Sequence, residues 1–235
     1  MAIDLDELKR IAAERAVSEV TEGMILGLGT GSTATHAVAA LGRRVAEGLT
    51  LRGVPTSQVT AAQAKALNIP LTDLEADPRL DLTIDGADAV DLDDFSLIKG
   101  LGGALLREKI VAAASARMIV IVDESKLGGA LGSRTPIPVE VVQFGWTATE
   151  RHLKALGART HLRTTKTGAP FVTDGGNYIV DCDFGAITKA PELARELKQI
   201  TGVVETGLFI GLATEIIIAR PGGVEKLDTP HKDRT

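Results

Sequence analysis

The sequence predicts an α/β fold in which an open, mostly parallel sheet with helices on both faces is joined to a smaller α+β domain. Two patterns carry this prediction. Before Thr135, short apolar segments alternate with segments of helical periodicity, as in parallel sheets covered by helices. After Pro138, the order becomes strand, helix, strand, strand, helix, strand, which is typical of a split βαβ unit.

The first part of the chain begins with a helix that carries its apolar residues on one face. The predicted elements are, in order, a helix over 4–20, a strand over 24–28, a helix over 34–41, a strand over 51–54, a helix over 57–67, a strand over 80–84, a helix over 104–117 and a strand over 118–122. This regular alternation is typical of a Rossmann-like sheet.

The second part begins near Pro136 and Pro138, which do not easily continue a central strand and so predict a domain boundary. The elements that follow are a strand over 139–144, a helix over 147–156, strands over 158–164 and 177–183, a helix over 191–200 and a strand over 203–205. Their order predicts a ferredoxin-like unit. The predicted domains are an α/β catalytic domain of residues 1–131 with 208–235, and an α+β domain of residues 132–207. We expect the polar tail, 225–235, to be loose.

Composition narrows the function classes. The 235 residues carry a net charge of −5 with Lys and Arg spread along the chain, which argues against a nucleic-acid partner. Cys182 is the single cysteine and has no histidine near it in sequence, so we interpret it as a strand residue rather than a nucleophile. No apolar run reaches the ~18 residues of a membrane span. We expect a cytoplasmic protein with no membrane partner.

A glycine-rich segment, Gly29–Thr33, follows the predicted strand over 24–28; we call it the first turn. A dinucleotide site would need a third glycine and an acid at the end of the next strand, and the sequence has neither. A phosphate site fits better, because backbone N–H groups and the start of a helix favour an anion. Thr30, Ser32 and Thr33 add hydroxyl donors. A plain strand-to-helix turn remains the alternative.

Two carboxylates, Asp85 and Asp88, stand at the end of the strand over 80–84. Ligands of open α/β sheets bind outside the carboxyl ends of the strands, so this position favours a functional role. The alternative is that both residues cap a turn or a helix. The acids at 91, 93 and 94 are interpreted as a solvated turn, because they lack the glycine and distal Glu of a calcium loop.

Glu108 lies on a largely apolar face of the predicted helix over 104–117. Its neighbours at three- and four-residue spacing are Ala104, Leu105, Val111 and Ala112. A carboxylate in such surroundings has a raised pKa, which suits a base that takes and returns a proton near pH 7. The alternative is a Glu in the first turns of a helix that is stabilised by the helix dipole.

Two lysines are candidates for binding negative charge. Lys99 precedes Gly100–Gly103, and we call Lys99–Gly103 the second turn; an ammonium here can neutralise an oxyanion or a phosphate. Lys126 follows the strand over 118–122 and so reaches the same sheet edge as Asp85 and Asp88. The four histidines show no metal-ligand spacing, and no G-x-S-x-G is present. We therefore expect no metal and no cofactor.

In order and spacing, four motifs resemble those of ribose-5-phosphate isomerase of the A type, across nearly the whole chain. They are Gly29-Thr30-Gly31-Ser32-Thr33, Asp85-Gly86-Ala87-Asp88, Lys99-Gly100-Leu101-Gly102-Gly103-Ala104-Leu105-Leu106-Arg107-Glu108-Lys109 and Asp123-Glu124-Ser125-Lys126. Some members of the family have a third glycine where Leu101 stands. The resemblance implies a metal-independent aldose–ketose isomerase that interconverts ribose 5-phosphate and ribulose 5-phosphate, and a homodimer or a dimer of dimers.

The resemblance also implies roles for individual residues. Glu108 would be the base, Asp85 would assist ring opening, and Asp88 and Lys99 would orient the substrate and stabilise the enediolate. The residues implied to bind the substrate are Thr30, Gly31, Ser32, Thr33, Asp85, Gly86, Ala87, Asp88, Lys99, Gly100, Leu101, Gly102 and Lys126. The alternatives are a sugar-phosphate sensor domain, which would have no need of Glu108, and a sugar-phosphate deaminase or lactonase.

Overall fold

A computed structural model describes residues 4–229, and the alternation of strands and helices is confirmed within them. The helices are α1 Leu5–Val17, α2 Ser32–Ala46, α3 Gln58–Ala66, α4 Leu105–Ala113, α5 Trp146–Ala155 and α6 Ala190–Gln199, with a 3₁₀ turn at Glu124–Lys126. The strands are β1 Ile25–Leu28, β2 Arg52–Pro55, β3 Leu80–Gly86, β4 Ala89–Val90, β5 Leu97–Ile98, β6 Ser115–Asp123, β7 Ile137–Val141, β8 Arg159–Leu162, β9 Tyr178–Asp183, β10 Val203–Thr206, β11 Leu208–Phe209, β12 Glu215–Arg220 and β13 Gly223–Asp228.

The described residues form two compact units. The first contains those within Met1–Ala87, Arg107–Leu127 and Gly211–Thr235, and the second those within Asp88–Leu106 and Gly128–Ile210. Compared with the predicted domains, residues 88–106 group with the second unit. The predicted domain boundaries stay a prediction.

The first unit is built on a six-stranded sheet in the order β13-β12-β6-β3-β1-β2. The strands from β12 to β2 pair in parallel, and β13 pairs antiparallel with β12. The predicted open, mostly parallel sheet is thus confirmed. Residues 225–228, predicted to be loose, instead belong to the edge strand β13, where each pairs with a residue of β12. Residues 230–235 of the predicted tail lie outside the described residues.

Helices cover both faces of this sheet. On one face, Leu26, Leu28 and Leu82 pack into a buried cluster with α1, α2 and α3. On the other face, α4 crosses so closely that a Cβ built at Gly27 would lie 2.5 Å from Val111 Cγ1. This helix is shorter than predicted, since β6 begins at Ser115, whose backbone pairs with β3.

The second unit contains a four-stranded antiparallel sheet in the order β10-β7-β9-β8, and α5 and α6 belong to the same unit. Numbered within the unit, the strand order is 4-1-3-2, as the predicted ferredoxin-like pattern requires. Its core contains Val139, Leu153, Val180 and Leu197. A small three-stranded sheet, β11-β5-β4, was not predicted from the sequence.

Pro138 lies inside β7, a central strand, contrary to the expectation that the prolines interrupt a central strand. The paired part of β10 ends opposite Val139, so Pro138 faces Gly207 rather than a regular ladder position. The Pro138 carbonyl accepts a hydrogen bond from Gly207 N at 2.7 Å. Proline has no N–H to return, and the Gly207 carbonyl instead accepts from Lys99 N at 2.9 Å.

Among the described residues, no helix combines the length and the apolar composition needed to cross a membrane.

Candidate active site

The candidate residues of the first unit lie at the carboxyl ends of its parallel strands. The chain leaves β1 through α2 to β2 on one side, and the next strand of the sheet, β3, pairs on the other side of β1. A reversal of this kind opens a crevice between the two strand ends, where ligands of open α/β sheets bind. The first turn follows β1, and Asp85 lies near the end of β3.

The first turn presents backbone N–H groups at the start of α2. Gly31 is the N-cap residue, with φ of 107°, and no side chain caps the helix. Gly31 and Ser32 are exposed, and a Cβ built at Gly31 would meet no atom within 4 Å. No acidic residue occupies the first turn of the helix. The uncapped N–H groups and the helix dipole therefore favour an anion here.

The hydroxyl of Thr30 is held by a cluster of three other hydroxyls. Its Oγ1 lies 2.7 Å from Thr56 Oγ1, 2.8 Å from Ser57 Oγ and 3.0 Å from Thr60 Oγ1. Thr60 Oγ1 also donates to the Gly29 carbonyl at 2.9 Å. The sequence analysis missed this hydroxyl cluster, although Thr56 and Ser57 directly follow β2 at the same sheet edge. The Thr30 side chain thus stabilises the turn.

Asp85 is fully buried and connects the first turn to the end of β3. Its Oδ1 accepts hydrogen bonds from Thr30 N at 3.1 Å and from Gly86 N at 2.8 Å. A Cβ at Gly29 would lie 2.3 Å from the same oxygen, so only glycine allows this approach. Thr33, which is buried, comes close to the Gly86 backbone, so both ends of the first turn pack against the Asp85–Gly86 segment.

Glu108 is only 4 % exposed, on the face of α4 that also carries Leu105, Val111 and Ala112. The apolar residues at three- and four-residue spacing are buried together with it, as predicted. Val111 packs over Gly27 in the middle of β1, and Glu108 precedes it by one helical turn. Because α4 connects β3 with the parallel strand β6, its N-terminal end lies towards the carboxyl edge of the sheet. Glu108 is therefore directed to the edge that carries Asp85.

Lys126 completes the candidate residues of the first unit. It is half-buried in the 3₁₀ turn that follows β6. Asp123 caps this turn, because its side chain accepts a hydrogen bond from Ser125 N at 2.9 Å. β6 is the neighbour of β3, so Lys126 follows the strand adjacent to the one that ends with Asp85 and Gly86.

The remaining candidate residues belong to the second unit. Lys99 is 2 % exposed, and its Nζ lies 5.5 Å from the centre of the Phe209 ring, within reach of a cation–π interaction. Asp88 Oδ2 accepts a hydrogen bond from Leu101 N at 2.9 Å. Gly100 is buried and has φ of 103°, whereas Leu101 and Gly102 are exposed. Ala87, half-buried, is the last residue of the first unit before Asp88.

Cys182 lies fully buried in β9, and burial raises the pKa of its thiol to about 12. Its interpretation as a strand residue rather than a nucleophile is confirmed. In the described part of the chain, no three His, Cys, Asp or Glu side chains come together as a metal site would require.

The chain is similar to proteins of one family. Residues 52–223 match the family model of ribose 5-phosphate isomerase A (phosphoriboisomerase A). A ribose-5-phosphate isomerase A from Gloeobacter violaceus is 57 % identical over 96 % of this chain and 97 % of its own. The enzyme of the same name from Gluconobacter oxydans is 52 % identical over 94 % and 96 %.

Solved structures of ribose-5-phosphate isomerases are also similar to this chain. A D-ribose-5-phosphate isomerase in complex with phospho-erythronic acid has a TM-score of 0.93 and 37 % identity, covering 96 % of this chain and all of that one. Ribose 5-phosphate isomerase A from Methanocaldococcus jannaschii has a TM-score of 0.92 and 39 % identity over the same shares.

Proposed function

Since the chain belongs to the ribose 5-phosphate isomerase A family and interconverts ribose 5-phosphate and ribulose 5-phosphate, we propose that Glu108 is the base of this reaction. The single observation that carries the proposal is the burial of Glu108 on the apolar face of α4, directed to the carboxyl edge of the sheet. Isomerisation moves one proton between C1 and C2, and one carboxylate can take and return it.

The reaction passes through an enediolate whose negative charge must be stabilised. Lys99 supplies the positive charge in this proposal, and Asp88 orients the hydroxyl groups of the substrate. The support is that the Lys99 side chain is buried and held at the Phe209 ring, which limits the motion of its ammonium. Gly100, Leu101 and Gly102 follow Lys99 and bind the substrate with it.

Asp85 assists ring opening, which must precede proton transfer because the sugar is largely cyclic in solution. Two backbone N–H groups fix its carboxylate, so the position of the second oxygen, Oδ2, is set as well. Gly86 and Ala87 carry no side chain beyond a methyl group and leave the substrate room at this strand end.

The first turn and Lys126 hold the phosphate. The helix start at Gly31, Ser32 and Thr33 offers N–H donors, and Lys126 follows a nearby strand. Because the phosphate does not react, its binding energy is available to position the sugar carbons.

We further propose a cytoplasmic homodimer or dimer of dimers that acts in the non-oxidative pentose phosphate pathway, with the catalytic and smaller domains divided as predicted from the sequence. Family membership supports the pathway. The names of the relatives, all isomerases, favour this enzyme over the sensor, deaminase and lactonase alternatives.

The test is ribulose 5-phosphate formation from ribose 5-phosphate, with EDTA present, for the wild type, Glu108→Gln and Glu124→Gln. Glu108→Gln keeps the shape of the side chain but not its basicity, so we expect kcat to fall about 10²- to 10⁴-fold. Binding of phospho-erythronic acid, measured calorimetrically, should stay within about threefold, since the phosphate contacts persist.

Glu124 is an exposed glutamate of the first unit, and Glu124→Gln should leave kcat unchanged. Exchange of the C2 proton with deuterated solvent gives an independent readout, and it should disappear with Glu108→Gln only. Wild-type kcat in folded Glu108→Gln would refute the assignment of the base.

A further inference from the structure

The conformation of the second turn depends on a side chain from a distant part of the sequence. Arg163, which directly follows β8, donates from Nη1 to the carbonyl of Gly100 at 2.8 Å and to that of Leu101 at 3.0 Å. All three residues belong to the second unit. Two consecutive carbonyls of the turn therefore point at one guanidinium.

The guanidinium is itself fixed from its other edge. Asp181 in β9 accepts from Arg163 Nε at 3.0 Å and from Nη2 at 2.5 Å. The two side chains are only 13 % and 18 % exposed. A bidentate pair of this kind holds the guanidinium plane in one orientation and leaves Nη1 for the turn.

The peptide between Gly100 and Leu101 is held at both of its polar ends. Arg163 binds its carbonyl, and Asp88 Oδ2 accepts a hydrogen bond from its N–H, the N–H of Leu101, at 2.9 Å. The guanidinium, the peptide and the carboxylate thus form one chain of charge-assisted hydrogen bonds. The preceding residue, Lys99, is held at its own N–H by Gly207.

Arg163, Asp181 and Leu101 line a cavity of about 590 Å³ in the second unit, so the turn borders open space beside this contact. Loss of the guanidinium removes this hydrogen-bond partner from both carbonyls.

We propose that Arg163, oriented by Asp181, is a positioning residue of the isomerase: it fixes the peptide after Gly100 and thereby the placement of Lys99 and of the Asp88 carboxylate. The inference rests on the proposed roles of Lys99 and Asp88. Arg163 itself acts through the turn and not on the substrate.

The test compares Arg163→Met with Arg159→Met. Arg159 forms an ion pair with Asp183 between the same two strands, at 2.6 Å, but its side chain is 84 % exposed and its hydrogen bond is to the carboxylate alone. In Arg163→Met we expect kcat to fall about 10- to 100-fold with KM within about threefold, because misplaced groups raise the barrier more than they weaken binding. Arg159→Met should leave both constants unchanged.

Two further variants, Arg163→Lys and Asp181→Asn, test the same positioning role. Arg163→Lys supplies a point charge that cannot span the carboxylate and both carbonyls, so kcat should recover only in part. If Arg163→Met does not fold, as judged by circular dichroism, Arg163→Lys and Asp181→Asn carry the test, and each should lower kcat several-fold. A kcat within twofold of wild type in the folded variants would overturn the inference, as would an equal loss in Arg159→Met.

Lys99→Met, measured alongside, separates this inference from the assignment on which it rests. If Lys99→Met keeps full activity, the proposed role of Lys99 fails. If Lys99→Met is inactive and Arg163→Met is fully active, only the positioning role fails.

Discussion

The two glycine turns that carry candidate site residues are stabilised by different chemistry. The first turn is held by hydrogen bonds to the neutral hydroxyls of Thr56, Ser57 and Thr60 and to the buried carboxylate of Asp85. The second turn is held by hydrogen bonds from Arg163, which is paired with Asp181, and by hydrogen bonds to Asp88 and Gly207.

The difference follows from what surrounds each turn. The first turn is tightly packed at Gly29, where a Cβ would lie 2.6 Å from the Ile84 carbonyl, although Gly31 later in the turn is open. The second turn borders a cavity, and long side chains reach it from the neighbouring strands. The close approach at Gly29 requires glycine, whereas the part of the second turn that borders the cavity is held by long charged side chains.

Gly29→Ala should have the largest effect on stability. The new Cβ would lie 2.3 Å from Asp85 Oδ1 and 2.6 Å from the Ile84 carbonyl, which is backbone and cannot rotate away. We expect the free energy of unfolding to fall by about 2–4 kcal/mol. Urea unfolding followed by circular dichroism measures it.

The matched variant in the second turn is Gly102→Ala. A Cβ at Gly102 meets no atom within 4 Å, and this glycine does not have a positive φ. The free energy of unfolding should change by less than about 0.5 kcal/mol. Equal losses in the two variants would contradict the contrast between the packed position of Gly29 and the open position of Gly102.

Thr60→Val should have an intermediate effect, because it removes the hydroxyl that donates to Gly29 and contacts Thr30. Thr60 is 4 % exposed, so the Gly29 carbonyl would lose a buried partner, and we expect a loss of about 1–3 kcal/mol. KM for ribose 5-phosphate should rise with it. Thr60→Ser retains the hydroxyl and should keep wild-type KM; a KM raised as far as in Thr60→Val would contradict the role of the hydroxyl.

Asp183→Asn should have a smaller effect than Thr60→Val and tests the contribution of an exposed charge. The N–H of Gly185 and then Arg159 hold the pKa of Asp183 below its ordinary value. A lowered pKa stabilises the fold above the unfolded-state pKa of about 3.9, and this contribution is lost as the pH falls through the folded-state pKa.

The free energy of unfolding of the wild type should therefore exceed that of Asp183→Asn by less than about 1 kcal/mol at pH 7. The difference should shrink below about pH 4, as measured by urea unfolding across pH 3–7. A difference that grows on acidification would show that the ion pair is not its cause.

Much of the fold and part of the site could be predicted because the decisive signals are local. The strand over 80–84 ends in its acids, and the apolar neighbours of Glu108 lie within four residues of it. Arg163 gave no such signal, since its partner Gly100 is 63 positions away. The edge strand β13 was missed because an edge strand pairs on one side only and tolerates polar residues on both faces.

Because Lys99 is hydrogen-bonded to Gly207, the contact of its ammonium with Phe209 depends on the number of residues between Gly207 and Phe209. Gly207 links Pro138 of β7 on one side to Lys99 on the other, and two residues later Phe209 places its ring beneath the ammonium. Side chains in a strand alternate between faces, so one residue inserted between Gly207 and Phe209 would turn the ring to the opposite face. A single insertion or deletion in this segment would therefore separate the lysine from its ring.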